Sequence, residues 1–419
     1  MKTTSLASQY KDIGADAFPV SLEIVFRDQT GQATSLRYQK VEWLVDGQRR
    51  GLRYGENPDQ SAALYAPVGG NISLADGSLI QADGGLVTSA ELLQFGKHPG
   101  KTNLTDVDAA LNILRYLMDK PARAIMKHNN PSGVAVSGSL AEAYHEAYFA
   151  DRVAAFGGAV VLNRELDLVT AAAIAEAYCE VVAAPAFAPG VLEIFARKKN
   201  LRVMCLPNIA KLASYAPVRN IEFKTLLDGG CVAQLSFVSA IRAAADLLPA
   251  ETTYKDRLYC VQRQPTEAEL ADMLFGWAVE CGVTSNSVIF VKDGRTVGIG
   301  TGEQDRVGVA EIAVYKALRK LEDRLCWERY GQAWNEWHSD PAAKSALSAE
   351  AHQRQGGLPG SVMVSDAFFP FRDGLLVGVE QGVRAVLQPG GSLRDWDVIQ
   401  ACNERGVAMK FTGQRCFRH

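Results

Sequence analysis

Ala124-Ile125-Met126-Lys127-His128-Asn129-Asn130-Pro131-Ser132-Gly133 sets an imidazole beside an ammonium at the end of an apolar run, with a polar segment directly after it. The run reads as the end of a buried strand, and Asn130-Pro131 and Ser132-Gly133 are turn dipeptides. The pair therefore stands at a strand's carboxyl end, where open α/β sheets place their ligands. A neighbouring ammonium disfavours the imidazolium, so Lys127 tends to keep His128 neutral and able to accept a proton. From these residues alone, a surface lysine next to a helix-capping histidine reads equally well.

Strands and helices alternate outward from that segment. Ser21 to Phe26 and Lys40 to Val45 alternate apolar and polar residues, and Asp46-Gly47 is a turn signal, so residues 1–50 are expected to form strands or hairpins. Asp106 to Met118 carries apolar residues at helical spacing behind Thr105 or Asp106 as cap. Strand-like Ala154 to Leu162, an Ala-rich helix from Leu168 to Cys179 and apolar Val181 to Ala186 follow in βαβ order.

Asp228-Gly229-Gly230 reads as a connector, after which a second unit begins. Thr266 to Cys281 is a helix between Pro265 and Gly282, and Val288–Val291 with Thr296–Ile299 flank the hairpin signal Asp293-Gly294. A long helix runs from Val309 past Leu321 into a Trp-rich region. Strands at Val362–Val364, Ala385–Leu387 and Val407–Phe411 then alternate with helices near Leu375–Gln381 and Trp396–Arg405. The class is α/β, with expected domains at 1–50, 51–240 and 241–419.

The chain's 419 residues exceed the usual single core, so two domains are the default. Net charge is -3, and no Lys/Arg cluster is dense enough to track a nucleic-acid backbone. No apolar run reaches membrane-spanning length, and the first residues lack a signal peptide's apolar region. The cysteines are scattered without C-x-x-C or zinc spacing and read as reduced thiols of a cytoplasmic protein. Nucleic acid and membrane are thus excluded as expected partners.

Two glycine motifs tempt and fail. Gly96-Lys97-His98-Pro99-Gly100-Lys101-Thr102 ends like a phosphate-binding loop, but its first glycine is one residue too close and Glu91 to Phe95 does not read as a buried strand. Gly298-Ile299-Gly300-Thr301-Gly302 continues a hairpin strand instead of opening a βαβ unit, and reads as a backbone turn approaching a ligand or neighbouring chain. Zinc deaminase chemistry is excluded because H-x-E and P-C-x-x-C are absent.

Four segments taken together carry a resemblance: Leu52-Arg53-Tyr54-Gly55-Glu56-Asn57-Pro58; Lys127 to Gly133; Ser285-Asn286-Ser287-Val288 with Gly298 to Arg306; and Ser365-Asp366-Ala367-Phe368-Phe369-Pro370-Phe371-Arg372-Asp373. The closing Thr412-Gly413-Gln414-Arg415-Cys416-Phe417-Arg418-His419 is similarly distinctive. From about residue 51 onward the chain resembles AICAR transformylase, the formyltransferase half of a bifunctional purine-biosynthesis enzyme that also carries IMP cyclohydrolase. The resemblance implies two tandem cytidine-deaminase-like α/β/α three-layer subdomains without zinc, preceded here by a short β-rich extension. It also implies a stand-alone form lacking the cyclohydrolase domain, a homodimer with active sites at the interface, and a separate IMP cyclohydrolase acting next.

Transfer of the formyl group of 10-formyltetrahydrofolate to the 5-amino group of AICAR is the implied reaction. That amine is weakly nucleophilic and must lose a proton as the bond to carbon forms, a task His128 suits. Lys127 is expected to keep His128 neutral and hold the oxyanion, and Asn286 to orient the substrate carboxamide, although backbone capping is the plainer reading of a lone Asn. Arg53 and Tyr54 match the phosphate-binding pair, with Arg415 and Phe417 as further nucleotide contacts. Gly157 and Glu180 match the ribose side, and Asn103 lines the same pocket or caps a helix. Arg306, with Val307 beside it, reaches substrate and folate. Phe368 and Pro370 wall the folate, Asp373 accepts from the pterin and Ser392 lies in a folate-side loop, whereas outside the family Phe368 to Phe371 reads as core packing. Ser285, Ser287 and Asp366 are candidate ligands for an optional K+. Ser132, Glu303 and Thr284 depart from the family pattern. The competing expectations are a catalytically silent nucleotide- or folate-binding homologue, and a transferase using formate and ATP.

Overall fold

The computed structural model describes residues 18–69, 84–96 and 98–419, with backbone alone at 73–74 and 77–78. Expectations that fall on residues 1–17 or on Lys97 lie outside the described residues. Two compact units divide the chain: Met1–Leu111 with Gly157–Val238, and Asn112–Phe156 with Ser239–His419. The last change of unit along the chain comes after Val238. Asn112–Phe156, which carries Lys127 and His128, instead packs with the C-terminal residues.

In the first unit Ser21–Arg27 and Ala33–Lys40 form an antiparallel hairpin extended by Tyr65–Gly69. Trp43–Val45 and Gln48–Arg50 form a second hairpin, whose turn residues Asp46 and Gly47 have φ of 49° and 75°. Two positive φ angles at the turn match the twist of the flanking strands, which is why Asp-Gly signals such a hairpin. The same unit holds the parallel strands Ala159–Leu162, Val181–Ala184 and Arg202–Cys205, with Glu91–Gln94 antiparallel to the last. Glu91–Gln94 is thus a strand, although a half-exposed one. The Asp228-Gly229-Gly230 segment is the turn of a hairpin, Ile221–Thr225 with Cys231–Leu235, and not a connector between units.

The second unit orders its strands Leu248–Pro249, Ala408–Phe411, Ala385–Gln388, Val362–Ser365, Val288–Lys292, Arg295–Gly300, Asn130–Val136 and Ala122–Lys127. Ala408–Phe411, Ala385–Gln388 and Val362–Ser365 run parallel, and the other neighbours are antiparallel. Successive strand residues point to opposite faces. Gly276 of the helix Glu267–Glu280 lies against Val364 and Val291, while Gly378 of the helix Arg372–Val379 lies against Met363 and Phe290, so helices cover both faces. Burial on both sides makes these strands continuous apolar runs.

Helix starts follow their caps. Thr266 Oγ1 accepts the Glu269 N–H at 3.2 Å and a Glu269 carboxylate oxygen accepts the Thr266 N–H at 2.8 Å. Asp151 accepts from the Ala154 N–H at 2.8 Å at the start of the short helix Arg152–Ala155, so the strand expected from Ala154 begins only at Ala159. The long helix Arg306–Tyr330 passes so close to Arg295–Gly300 that a Cβ at Gly298 or Gly300 would overlap the carbonyls of Ala313 and Val309. Gly298 and Gly300 therefore serve strand–helix packing, within a strand that runs on to Gly300. All eight cysteines are free thiols.

Candidate active site

Two residues in left-handed conformation, His128 at φ 56° and Asn129 at φ 62°, make the turn between Ala122–Lys127 and Asn130–Val136. The dipeptides Asn130-Pro131 and Ser132-Gly133, expected to turn, belong to the second strand. Pro131 is tolerated there by a bulge between Pro131 and Gly133, since proline cannot donate to a ladder. At Gly133 the Ala147 carbonyl of the helix Leu140–Ala150 leaves no room for a Cβ. His128 is consequently exposed at a hairpin tip and caps no helix. Lys127 is half-buried, and its Nζ donates to the Phe156 carbonyl at 2.7 Å.

Asn130 ties this hairpin to the Asn286 loop. Its Oδ1 accepts the Thr284 N–H at 2.9 Å, and the Thr301 hydroxyl lies 3.2 Å from the same oxygen and 2.8 Å from the Thr284 carbonyl. Thr284 takes part through its backbone. Two residues on, Asn286 Nδ2 donates to the Gln304 carbonyl at 3.0 Å and its Oδ1 accepts from Arg306 Nη2 at 3.1 Å.

Arg306 is buried at the start of its helix, which Asp305 caps. Its Nη1 reaches the Ser287 carbonyl at 2.8 Å, Ser365 Oγ at 3.1 Å and Asp366 Oδ1 at 2.5 Å. Asp366 also accepts from Ser285 Oγ at 2.5 Å and from the Ser287 N–H at 3.1 Å, so one buried carboxylate organises both sides of the loop. Ser287 Oγ donates to Glu280 Oε1 at 3.0 Å, and Glu280 Oε2 has no hydrogen-bond partner among the described residues. Burial holds the Glu280 carboxyl well above the usual carboxylate range, and the Asp366 charge reinforces it. Ser285, Ser287 and Asp366 thus converge, and an all-oxygen set with an orphaned buried oxygen suits a hard cation. Among the described residues no group of three His, Cys, Asp or Glu stands ready for a metal.

Beyond Asp366 the chain alternates. Phe369 is fully buried, with its N–H donating to Gln388 Oε1 at 2.8 Å, whereas Phe368 is 41% exposed and Phe371 48% exposed. Core packing therefore explains Phe369 alone. Pro370 is exposed, as is Asp373 in the first turn of Arg372–Val379. Ser392 occupies the loop after Ala385–Gln388, where its Oγ accepts the Arg394 N–H at 3.1 Å. The C-terminal segment returns to the same end of the sheet: the Cys416 N–H donates to the Asp366 carbonyl at 3.0 Å and the Arg418 N–H to Ser285 Oγ at 3.1 Å. There the Arg415 guanidinium lies 4.7 Å from the centre of the Phe417 ring. Half-buried Val307 follows Arg306.

The first unit gathers the remaining expected residues. The Arg53 N–H donates to the Pro99 carbonyl at 3.0 Å, the Lys101 N–H to the Tyr54 carbonyl at 3.0 Å, and Arg53 Nη2 to the Tyr54 hydroxyl at 2.6 Å. These bonds hold the pair at the start of the helix Lys101–Leu114, which begins earlier than its apolar pattern predicts. Asn103, in the first turn of that helix and not at its N-cap, accepts the Gly100 N–H at 3.1 Å and donates to Glu180 Oε2 at 3.0 Å. Arg202 Nη1 approaches the same Glu180 oxygen at 3.3 Å. Gly157, at φ 74°, donates its N–H to the Tyr178 carbonyl at 2.9 Å, and the Glu180 N–H donates to the Gly158 carbonyl at 3.0 Å.

The sequence profile of the AICARFT/IMPCHase bienzyme matches residues 21–316. The chain belongs to that family. The bifunctional purine biosynthesis protein PurH of Rhodospirillum rubrum is 42% identical over 372 residues, which are 88% of this chain and 60% of that protein. PurH of Magnetococcus marinus is 38% identical over 375 residues, 88% of this chain and 59% of its own length. PurH of Roseobacter denitrificans is 40% identical over 371 residues. The chain thus spans about three fifths of the length of these curated relatives.

Sequence reasoning on this AICARFT/IMPCHase member missed Asn130, Arg202 and the pairing of Asp366 with Arg306. Arg202 carried a signal: a charge inside the apolar run Leu201 to Met204 demands a partner, and Glu180 is the acid within reach. Asn130 carried none, because an Asn before Pro ordinarily reads as a turn residue.

Proposed function

We propose that this chain transfers the formyl group of 10-formyltetrahydrofolate to the 5-amino group of AICAR, giving FAICAR and tetrahydrofolate in purine biosynthesis. Its main support is the Asn130 clamp, which joins the His128 turn to the Asn286 loop within one compact unit. The names of the relatives agree with it.

In this reading the amine's lone pair attacks the formyl carbon while His128 takes the amine proton. The carbonyl oxygen gains charge that Lys127 stabilises, and the folate N10 leaves with a proton as the C–N bond breaks. Asn286, fixed by Arg306 and the Gln304 carbonyl, orients the carboxamide. Arg53, Tyr54 and Arg415 hold the phosphate, with Phe417 beside Arg415, and Asn103, Gly157 and Glu180 line the ribose side. Arg306 and Val307 border the folate, Phe368 and Pro370 wall it, and Asp373 and Ser392 supply polar contacts. K+ held by Ser285, Ser287 and Asp366 would brace the Asn286 loop.

The proposal extends to a cytoplasmic homodimer with interface sites, handing FAICAR to a separate IMP cyclohydrolase. No helix among the described residues is long and apolar enough to cross a membrane. Purified chain mixed with AICAR and 10-formyltetrahydrofolate is expected to yield FAICAR by mass spectrometry, and FAICAR supplied alone is expected to give no IMP. Formylation only with formate and ATP would reject the folate reading.

A further inference from the structure

Beside the Lys127–His128 turn, and wholly within the second unit, lies a cavity of about 160 Å³ lined by the hairpin, the strand Arg295–Gly300 and the helix Arg306–Tyr330. Three lysines are among its lining residues, Lys127, Lys316 and Lys320, with Asp151 the one acidic residue among them. That carboxylate is already engaged: it accepts the Ala154 N–H at 2.8 Å and pairs with Lys320 at 2.9 Å. Lys127 donates to the Phe156 carbonyl. Half-buried Lys316 has no hydrogen-bond or ion-pair partner among the described residues. Lys316 and Lys320 also stand one turn apart on one helix, an arrangement of like charges that disfavours the helix unless an anion lies between them.

The size of the cavity selects the ligand. At about 160 Å³ it is well under the 300 Å³ or more typical of sites for drug-sized ligands. That leaves room for one carboxylate or phosphate group against the lysines. We propose that the cavity is an oxyanion subsite held by Lys316 together with Lys320, taking one such group beside the reacting centre. Resting on the formyl-transfer reading, its occupant is a carboxylate of the folate's glutamyl tail; free phosphate shares the chemistry.

Calorimetric titration of the full chain with inorganic phosphate tests the subsite without turnover, in an Arg53→Ala background that silences the phosphate contact expected there. Lys316→Gln is expected to weaken binding by about tenfold or more, the scale of one lost charge-assisted contact, and Lys316→Arg to restore it. Without phosphate, Lys316→Gln should melt no lower than its parent, because like-charge repulsion is removed. Phosphate affinity unchanged by Lys316→Gln overturns the subsite, whatever the activity. In turnover, a KM raised for 10-formyltetrahydrofolate but not for 10-formyltetrahydropteroate, which lacks the glutamate, assigns the tail as occupant. Loss of phosphate binding with both KM values unchanged supports the subsite with free phosphate as its ligand.

Discussion

The side-chain oxygen of Asn130 accepts the backbone N–H of Thr284 at 2.9 Å, and through that bond the turn bearing His128 and the loop bearing Asn286 hold one geometry. Asn130→Ala leaves the Thr284 N–H without its acceptor, at a cost of about 1–3 kcal/mol. Because Asn130 is placed to position and not to bind, kcat should fall by roughly 10²-fold with a smaller change in KM, the scale reported for misplaced catalytic groups. Steady-state kinetics alongside thermal melting check both; an unchanged kcat would remove Asn130 from the account.

His128 combines a catalytic assignment with a left-handed backbone that Asn adopts readily. His128→Asn should therefore keep the hairpin and lose the base. Melting temperature is expected to hold, while formyl transfer falls roughly 10²- to 10⁴-fold. A variant that unfolds would show that the imidazole's main role is structural.

Asp366 is fully buried and shared by Arg306, Ser285 and the Ser287 backbone. Asp366→Ala strands a buried guanidinium, so denaturant unfolding should report a loss of about 3–5 kcal/mol. A loss below about 1 kcal/mol would mean that Arg306 finds another partner.

Acid stability should report on Glu146. Burial pushes its carboxyl up, but the His145 hydrogen bond and the Arg295 and Arg324 charges outweigh that and bring it down from 4.5 to about 2. A depressed carboxyl contributes stability that is present above its unfolded value and lost as pH falls through its folded value. The wild type should therefore lose stability between about pH 5 and pH 2, by an amount on the order of 2–3 kcal/mol, and Glu146→Gln should flatten that part of the profile.

Much of this fold is legible where a local rule and the tertiary packing agree. Thr266 with Glu269 marks a helix start, Asp293-Gly294 and Asp46-Gly47 mark hairpins, and the apolar runs Val362–Val364 and Ala385–Leu387 are buried strands. Misreadings arise where one residue type serves two ends. Pro131 and Gly133 look like turn residues, yet a bulge and a close helix put them in a strand. The grouping of Asn112–Phe156 with the C-terminal residues depends on long-range strand pairing, which carries no local signature. Among site residues, motifs suggested His128, Asn286, Arg306 and Asp366 one by one, whereas the supporting bonds from Asn130 to Thr284, Arg202 to Glu180 and Arg306 to Asp366 emerge only from contacts.

Tetrahydrofolate release from 10-formyltetrahydrofolate in the presence of AICAR, measured for wild type and His128→Ala at equal folded concentration, tests the central claim most directly. The account predicts turnover by the wild type and a fall of roughly 10²-fold or more in the variant. No turnover by the wild type, or turnover undiminished in His128→Ala, would contradict it.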